Sequence, residues 1–119
     1  MILAVTVPTE AAGASLSDAA VLSELEIVGF QFPAVWIDAD LSFQVSGDGG
    51  TTFENLYNGD TEFSLAGAAN ADRWCGLTDA QAATLRGWDQ IKVRSGLTGA
   101  HVDQTASRTV NIKVRTRKG

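Results

Sequence analysis

Few residues in this chain are of types that do chemistry, and their spacing does not assemble them. His101 is the only histidine and Cys75 the only cysteine. A nucleophile needs a base held beside it, yet His101 lies in the polar run Gly99–Thr105, with neither a Ser-His-Asp nor a His-Cys spacing around it. It reads as a solvated loop residue. A single cysteine forbids an intrachain disulfide and any CxxC or metal quartet, so Cys75 reads as a small buried residue. Asp38, Asp40 and Asp48 are of the type that Ca²⁺ favours, but they lack EF-hand spacing, and turn capping accounts for each singly. Gly47–Gly50 is no phosphate loop, because no Lys-Ser/Thr pair follows and no helix opens there. The expectation is no enzyme, no cofactor and no metal. Trp74, Trp88 and Tyr57 remain. Exposed, they would stack on sugar rings; in a β-protein, tryptophan more commonly fills core or interface.

The elements that would position these residues are mostly short strands. Leu41, Phe43 and Val45 alternate with Ser42, Gln44 and Ser46, a period of two that puts one face in a core and one in solvent. Gly47-Asp48-Gly49-Gly50 follows, with residues that accept positive φ and an Asp that caps its own turn. Thr51, Thr52 and Phe53 resume strand chemistry, so Leu41–Leu56 is expected to be a hairpin with a short loop. Ser46-x-Asp48-x-Gly50-x-Thr52 resembles the Asp-box of sialidases and related propellers, a folding device that ties down a hairpin. Ile2–Val7 reads as a first strand or an extended arm, and Thr9–Ala20 as a loop. Leu25–Phe32 changes phase between Ile27 and Val28, so it is either covered on both faces or bulged near Gly29. Pro33 ends it, and Ala34–Asp40 forms a corner whose Trp36 plugs one end of the fold.

Further on, Glu62–Leu65 is a short strand and Ala66–Arg73 a loose loop. Thr78-Asp79-Ala80-Gln81 is a capping box, opening a short helix near residues 79–86 that stops at Gly87. Gln90–Arg94 and Thr109–Thr116 are the closing strands, the latter alternating Val110, Ile112 and Val114 with Asn111, Lys113 and Arg115. Seven or eight strands and one helix in 119 residues make an all-β, antiparallel sandwich the natural architecture. The division expected is 1–20 as N-terminal strand or arm and loop, and 21–119 as the sandwich.

Charge divides along the chain. Up to Leu85 Arg73 is the single base against twelve acids, a net of −11; from Arg86 on, eight bases face Asp89 and Asp103, a net of +6. Such segments attract one another, either inside one fold or between copies. The simplest expectation is that the last strands pair with acidic ones. An acidic chain with no aromatics in its basic strand is a poor partner for nucleic acid. No apolar run approaches the roughly 20 residues that span a bilayer. The start, Met1-Ile2-Leu3, has no basic leader, so synthesis in a host cytoplasm is expected.

From Phe30 to Tyr57, this chain resembles small virion proteins of tailed bacteriophages. The shared run is Gly-Phe, Pro-x-x-Trp, Leu-x-Phe-Gln-x-Ser-x-Asp-Gly-Gly-x-x-Phe and Leu-Tyr. Ile91-x-Val93-Arg94-Ser95-Gly96, His101-Val102-x-Gln104 and Ala106-x-Arg108-Thr109-Val110 are similar to the closing segment of the same proteins. The likeness covers residues 25–115. It departs at Asn58-Gly59-Asp60, which turns where those proteins continue a strand, and at Ala66–Leu77, which looks like an insertion. What the resemblance implies is a jelly-roll-like sandwich on the virion, a head decoration or cement protein that binds the major capsid protein. It also implies self-association, with a trimer favoured. The interface candidates are then Ile2, Leu3, Val5 and Val7, which would cross a neighbour as an added strand, and the basic Arg115, Arg117 and Lys118. The alternative expectation is a tail or fibre module binding carbohydrate through Trp74, Trp88 and Tyr57.

Overall fold

Among the described residues, 1–9, 15–66 and 72–117 of a computed structural model, twelve strands and one helix form a four-stranded and a six-stranded antiparallel sheet packed face to face, with a separate two-stranded hairpin sheet. The first sheet runs β1 (Ile2–Val7), β12 (Arg108–Thr116), β3 (Leu25–Phe32), β9 (Arg73–Gly76). The second is built on β4 (Leu41–Ser46) and β10 (Gln90–Leu97), paired from Leu41 opposite Ser95 to Ser46 opposite Gln90. Along the outer edge of β10 lie β2 (Ala20–Val21), the bridge Leu16–Arg94 and β11 (Ala100–His101). Along the outer edge of β4 lie β5 (Glu54–Asn55) and β8 (Ser64–Leu65), with the hairpin β6 (Tyr57–Asn58) and β7 (Thr61–Glu62) between them.

Treating β5–β8 as one broken strand and setting β11 aside gives the topology its name. The first strand pairs with the last, the second with the seventh, the third with the sixth and the fourth with the fifth. One long antiparallel ribbon has been rolled into two sheets, which is a jelly roll.

Alternation sets which side chains meet. Val110, Ile112 and Val114 of β12 face Val5 and Val7 of β1, Phe30 and Phe32 of β3, Leu41 and Phe43 of β4, and Ile91 and Val93 of β10 in one core. Phe30 and Phe43 touch across the two sheets with ring centroids 5.3 Å apart, within the range where aromatic pairs add to their burial. Trp36 closes one end, edge-on to Phe32, its indole N–H donating to Ala39 O at 3.2 Å. The expected corner is present.

The phase change in β3 is a bulge. Lys113 lies opposite Gly29 but Val114 opposite Ile27, so Val28 has no partner in the ladder. Ile27 stays in the core while Val28 turns to solvent. β1 pairs with β12 over its whole length, so the segment expected as an arm is a strand of the sandwich. Residues 15–21 run beside β10, where a loop was expected, because Ser17 N–H donates to Val93 O and Ser95 N–H to Ser15 O; residues 10–14 lie outside the described part. The Ala66–Leu77 stretch expected as an insertion supplies β9, whose register runs Phe30–Cys75 and Gln31–Trp74.

The helix α1 (Asp79–Leu85) begins with the expected capping box. Gln81 N–H donates to Thr78 Oγ1, and Thr78 N–H to Gln81 Oε1. Leu85 anchors it to the core, and Gly87, at φ +92°, follows its end.

Glycines separate strained sites from open ones. Gly49 and Gly96 both have positive φ, but a Cβ on Gly49 meets nothing within 4 Å, whereas one on Gly96 falls 2.7 Å from backbone atoms of Ala100, His101 and Val102. Gly49→Ala is expected to cost about 1–2 kcal/mol, the penalty of a left-handed Ala. Gly96→Ala is expected to cost clearly more, since backbone must also move; urea unfolding of the pair measures the difference.

Candidate functional site

The glycine turn is a closed hydrogen-bonded device. Ser46 Oγ donates to Asp48 Oδ1 at 2.7 Å and accepts from Gly50 N–H at 2.9 Å, while Thr52 N–H donates to Asp48 Oδ1 at 2.9 Å. Asp89 Oδ2 takes the Gly49 N–H, and Gln90 Nε2 donates to Gly49 O. The donors of residues 49, 50 and 52 are thus spent on side chains. For that reason Thr51–Phe53 do not resume the ladder as expected, and pairing restarts at Glu54. Donated hydrogen bonds from Thr52 and Ser46 hold the Asp48 carboxyl below its ordinary value. Ser46, Asp48, Gly50 and Thr52 therefore bond to one another and shape a turn, as expected.

A second polar cluster sits on the outer face of the second sheet. Arg94 is 6% exposed. Its guanidinium donates to Ser42 Oγ, Asn55 Oδ1 and Thr98 Oγ1 and pairs with Glu62 at 3.4 Å. Burial lowers its pKa, and the Glu62 charge opposes that. Glu62 also accepts from Thr98 N–H and Oγ1. A third cluster centres on the fully buried Gln104, whose side chain accepts from Ile37 N–H at 2.8 Å and donates to Ile37 O and Ser95 Oγ at 2.9 Å. Arg94, Ser95, Gly96 and Gln104 lie close together along β10 and the segment after it. Each has a structural duty here.

The interface candidates separate. Val5 and Val7 are 1% and 0% exposed, so they belong to the core, where alternation along β1 sends every second side chain. Leu3 packs against its rim, and Ile2 alone is well exposed, at 53%. Thr6 N–H, on the free edge of β1, donates to Asp18 Oδ1 at 2.8 Å, which blunts that edge against an added strand. Arg115 is exposed and pairs with Glu26. With Arg94–Glu62, that joins late basic strands to earlier acids inside the fold. Arg117 is exposed, its N–H on Glu24 O; Lys118 lies outside the described residues.

The three aromatics do not share a site. Tyr57 and Trp88 line a groove of ~520 Å³ with Asp48, Thr52, Glu54 and Asn55. Trp88 is half-buried, its indole N–H on Thr84 O. Trp74, 44% exposed, stands on the other sheet. There it lines a trough of ~400 Å³ with Ile2, Val28, Gly29, Cys75, Gly76 and Lys113. Sequence reasoning missed that trough. Its signal was the phase change at Val28, but only strand order places Ile2 and Trp74 on one face. Among the described residues no three of His, Cys, Asp and Glu gather as a metal site, and Asp38, Asp40 and Asp48 do not converge. No described helix is long and apolar enough to cross a membrane.

Two ion pairs of like chemistry are expected to differ in worth. Arg94→Ala strands Glu62 and buried acceptors and is expected to cost roughly 3–5 kcal/mol; Arg115→Ala, at an exposed pair, is expected to cost under about 1 kcal/mol. Denaturant midpoints compare them.

Asp48, depressed in the folded state, contributes stability that is fully present above its unfolded value of about 3.9 and is lost as pH falls through the lower folded value. Asp48→Asn is therefore expected to flatten the acid limb of thermal stability below about pH 4, read by melting temperature against pH.

No protein-family model matches this chain, and neither a curated protein nor a solved structure is significantly similar to it.

Proposed function

We propose that this chain is a non-enzymatic structural protein of a tailed phage, a decoration or cement protein. In this reading it binds the outside of the head, ties neighbouring major capsid subunits together, and self-associates on the virion surface. One observation carries the reading. The residues through which the sequence resembles small virion proteins form one interlocked frame: the Ser46–Thr52 turn, the Arg94 cluster, Gly96 at its close backbone approach, and Gln104 clamping Ile37. A likeness made of frame residues is a likeness of fold, and points to proteins that use this frame as a surface-presenting block. Cementing suits such a block, since repeated modest contacts over a lattice gain avidity without any strong single site.

A carbohydrate-binding tail module is the second reading, favoured by the meeting of Tyr57 and Trp88 in one groove with Asp48, Thr52, Glu54 and Asn55. In that reading Trp74 has no part, because it stands on the other sheet.

Gold-labelled antibody against the chain on purified virions separates the two. Label over the whole head is expected for a cement protein. Label confined to the tail would sink that reading, and loss of glycan binding in Tyr57→Ala would then carry the other.

A further inference from the structure

Exposed apolar side chains on this protein are concentrated. Of the eight large ones among the described residues, Ile2, Val28 and Trp74 line the trough on the first sheet, and Val35 and Ile37 lie on the loop after β3. The trough is built into the sheet. Ile2, Lys113, Gly29 and Gly76 form one cross-strand row, with two glycines where side chains would stand. Gly29 has no choice, since a Cβ there would lie 2.7 Å from Cys75 O. Gly76 does. A Cβ on it meets nothing within 4 Å, and its φ is not left-handed. A glycine in a strand has no side chain to pack and can mark a site where a ligand or another backbone approaches closely; Gly76 closes its strand. The bulge adds Val28 to the wall, and Lys113 places a cation at the rim.

The loop is the counterpart. Val35 is 61% and Ile37 39% exposed on either side of the buried Trp36, and Asp38 beside them is exposed. The loop is held rigidly: Trp36 packs on Phe32 and donates to Ala39 O, and the Gln104 amide bonds both backbone groups of Ile37. A pre-ordered loop loses little freedom on docking.

We propose, resting on the cement role for the need to self-associate, that the trough receives the Val35–Asp38 loop of a second copy. The aliphatic pair sits on the glycine floor between Ile2 and Trp74, and Asp38 faces Lys113. Donor and acceptor surfaces differ, so the contact is heterologous. Each copy gives a loop to one neighbour and takes one from another, closing a ring if the rotation allows and running open if not.

Sedimentation velocity of the purified full chain tests this, with two variants that spare the core. Gly76→Leu fills the trough, and Ile37→Ser removes the loop's anchor. Wild type is expected to self-associate at concentrations up to about 100 µM, and each variant to weaken it at least about tenfold with an unchanged melting temperature. Mixing the two is the sharpest measurement. Gly76→Leu keeps a loop and Ile37→Ser keeps a trough, so together they are expected to form one-to-one dimers and nothing larger. A wild type that stays monomeric, assembly that ignores both variants, or a mixture that does not pair would overturn the proposal. Capsid co-sedimentation runs separately. A monomer that still decorates heads would refute this contact and leave the cement role standing, while an assembling protein that ignores heads would do the reverse.

Discussion

Every polar group buried along Arg94–Gly96 must find a partner, and much of the molecule is arranged around that requirement. This part of β10 is flanked by strands on both edges and covered on both faces. A guanidinium, a hydroxyl and a tightly packed glycine therefore sit where water cannot serve them. An unmet buried group costs ~1–3 kcal/mol, and more if charged. Satisfying Arg94 draws in Ser42, Asn55, Thr98 and Glu62, which fastens the β6–β7 hairpin across the second sheet. Satisfying Ser95 draws in Gln104 and Val102 O, and through Gln104 the Ile37 backbone. Gly96 N–H donates to Asp40 O. Two loops far apart in sequence are thereby fixed against one strand.

Rolling the ribbon divides labour between the sheets. The second sheet has polar clusters and a hairpin over its outer face, and its central strands are covered. Among the described residues, the helix borders the outer face of the first sheet near Glu26 and Arg115, and beside it two glycines sharing a row leave the trough. That asymmetry gives the protein one crowded side and one side with a shallow apolar recess.

Much of the fold was legible because it is local. The Thr78–Gln81 capping box, the Ser46–Asp48 turn and the alternation of β12 each depend on residues within a few positions, and all three stand as read; the other face of β4, expected in solvent, is instead covered, because the Arg94 cluster lies over Ser42 and the glycine turn closes on Ser46. The phase change at Leu25–Phe32 announced either double coverage or a bulge, and the unpaired Val28 decides for the bulge. β9 was read as part of an insertion. It has only four residues, with a core-facing Cys75 between Trp74 and Gly76, and its alternation is too brief to register without the partner strand β3. Residues 15–21 were read as a loop for a related reason: their serines become strand-like only because β10 offers unpaired backbone groups. Val5 and Val7 were placed on an interface because an apolar strand looks the same whether it covers its own core or a neighbour's.

By itself the sequence determined what short-range physics determines: an all-β chain, a helix with a capping box at Thr78, a hydrogen-bonded glycine turn and a Trp36 corner. Tertiary structure alone decided the rest. It parted Trp74 from Tyr57 and Trp88, set Ile2, Gly76 and Lys113 in one row, and brought Gln104 to Ile37 and Arg94 to Glu62. Those neighbours are separated by tens of residues. Their meeting depends on strand order and register, which arise from packing the whole ribbon at once, and no local pattern records that outcome.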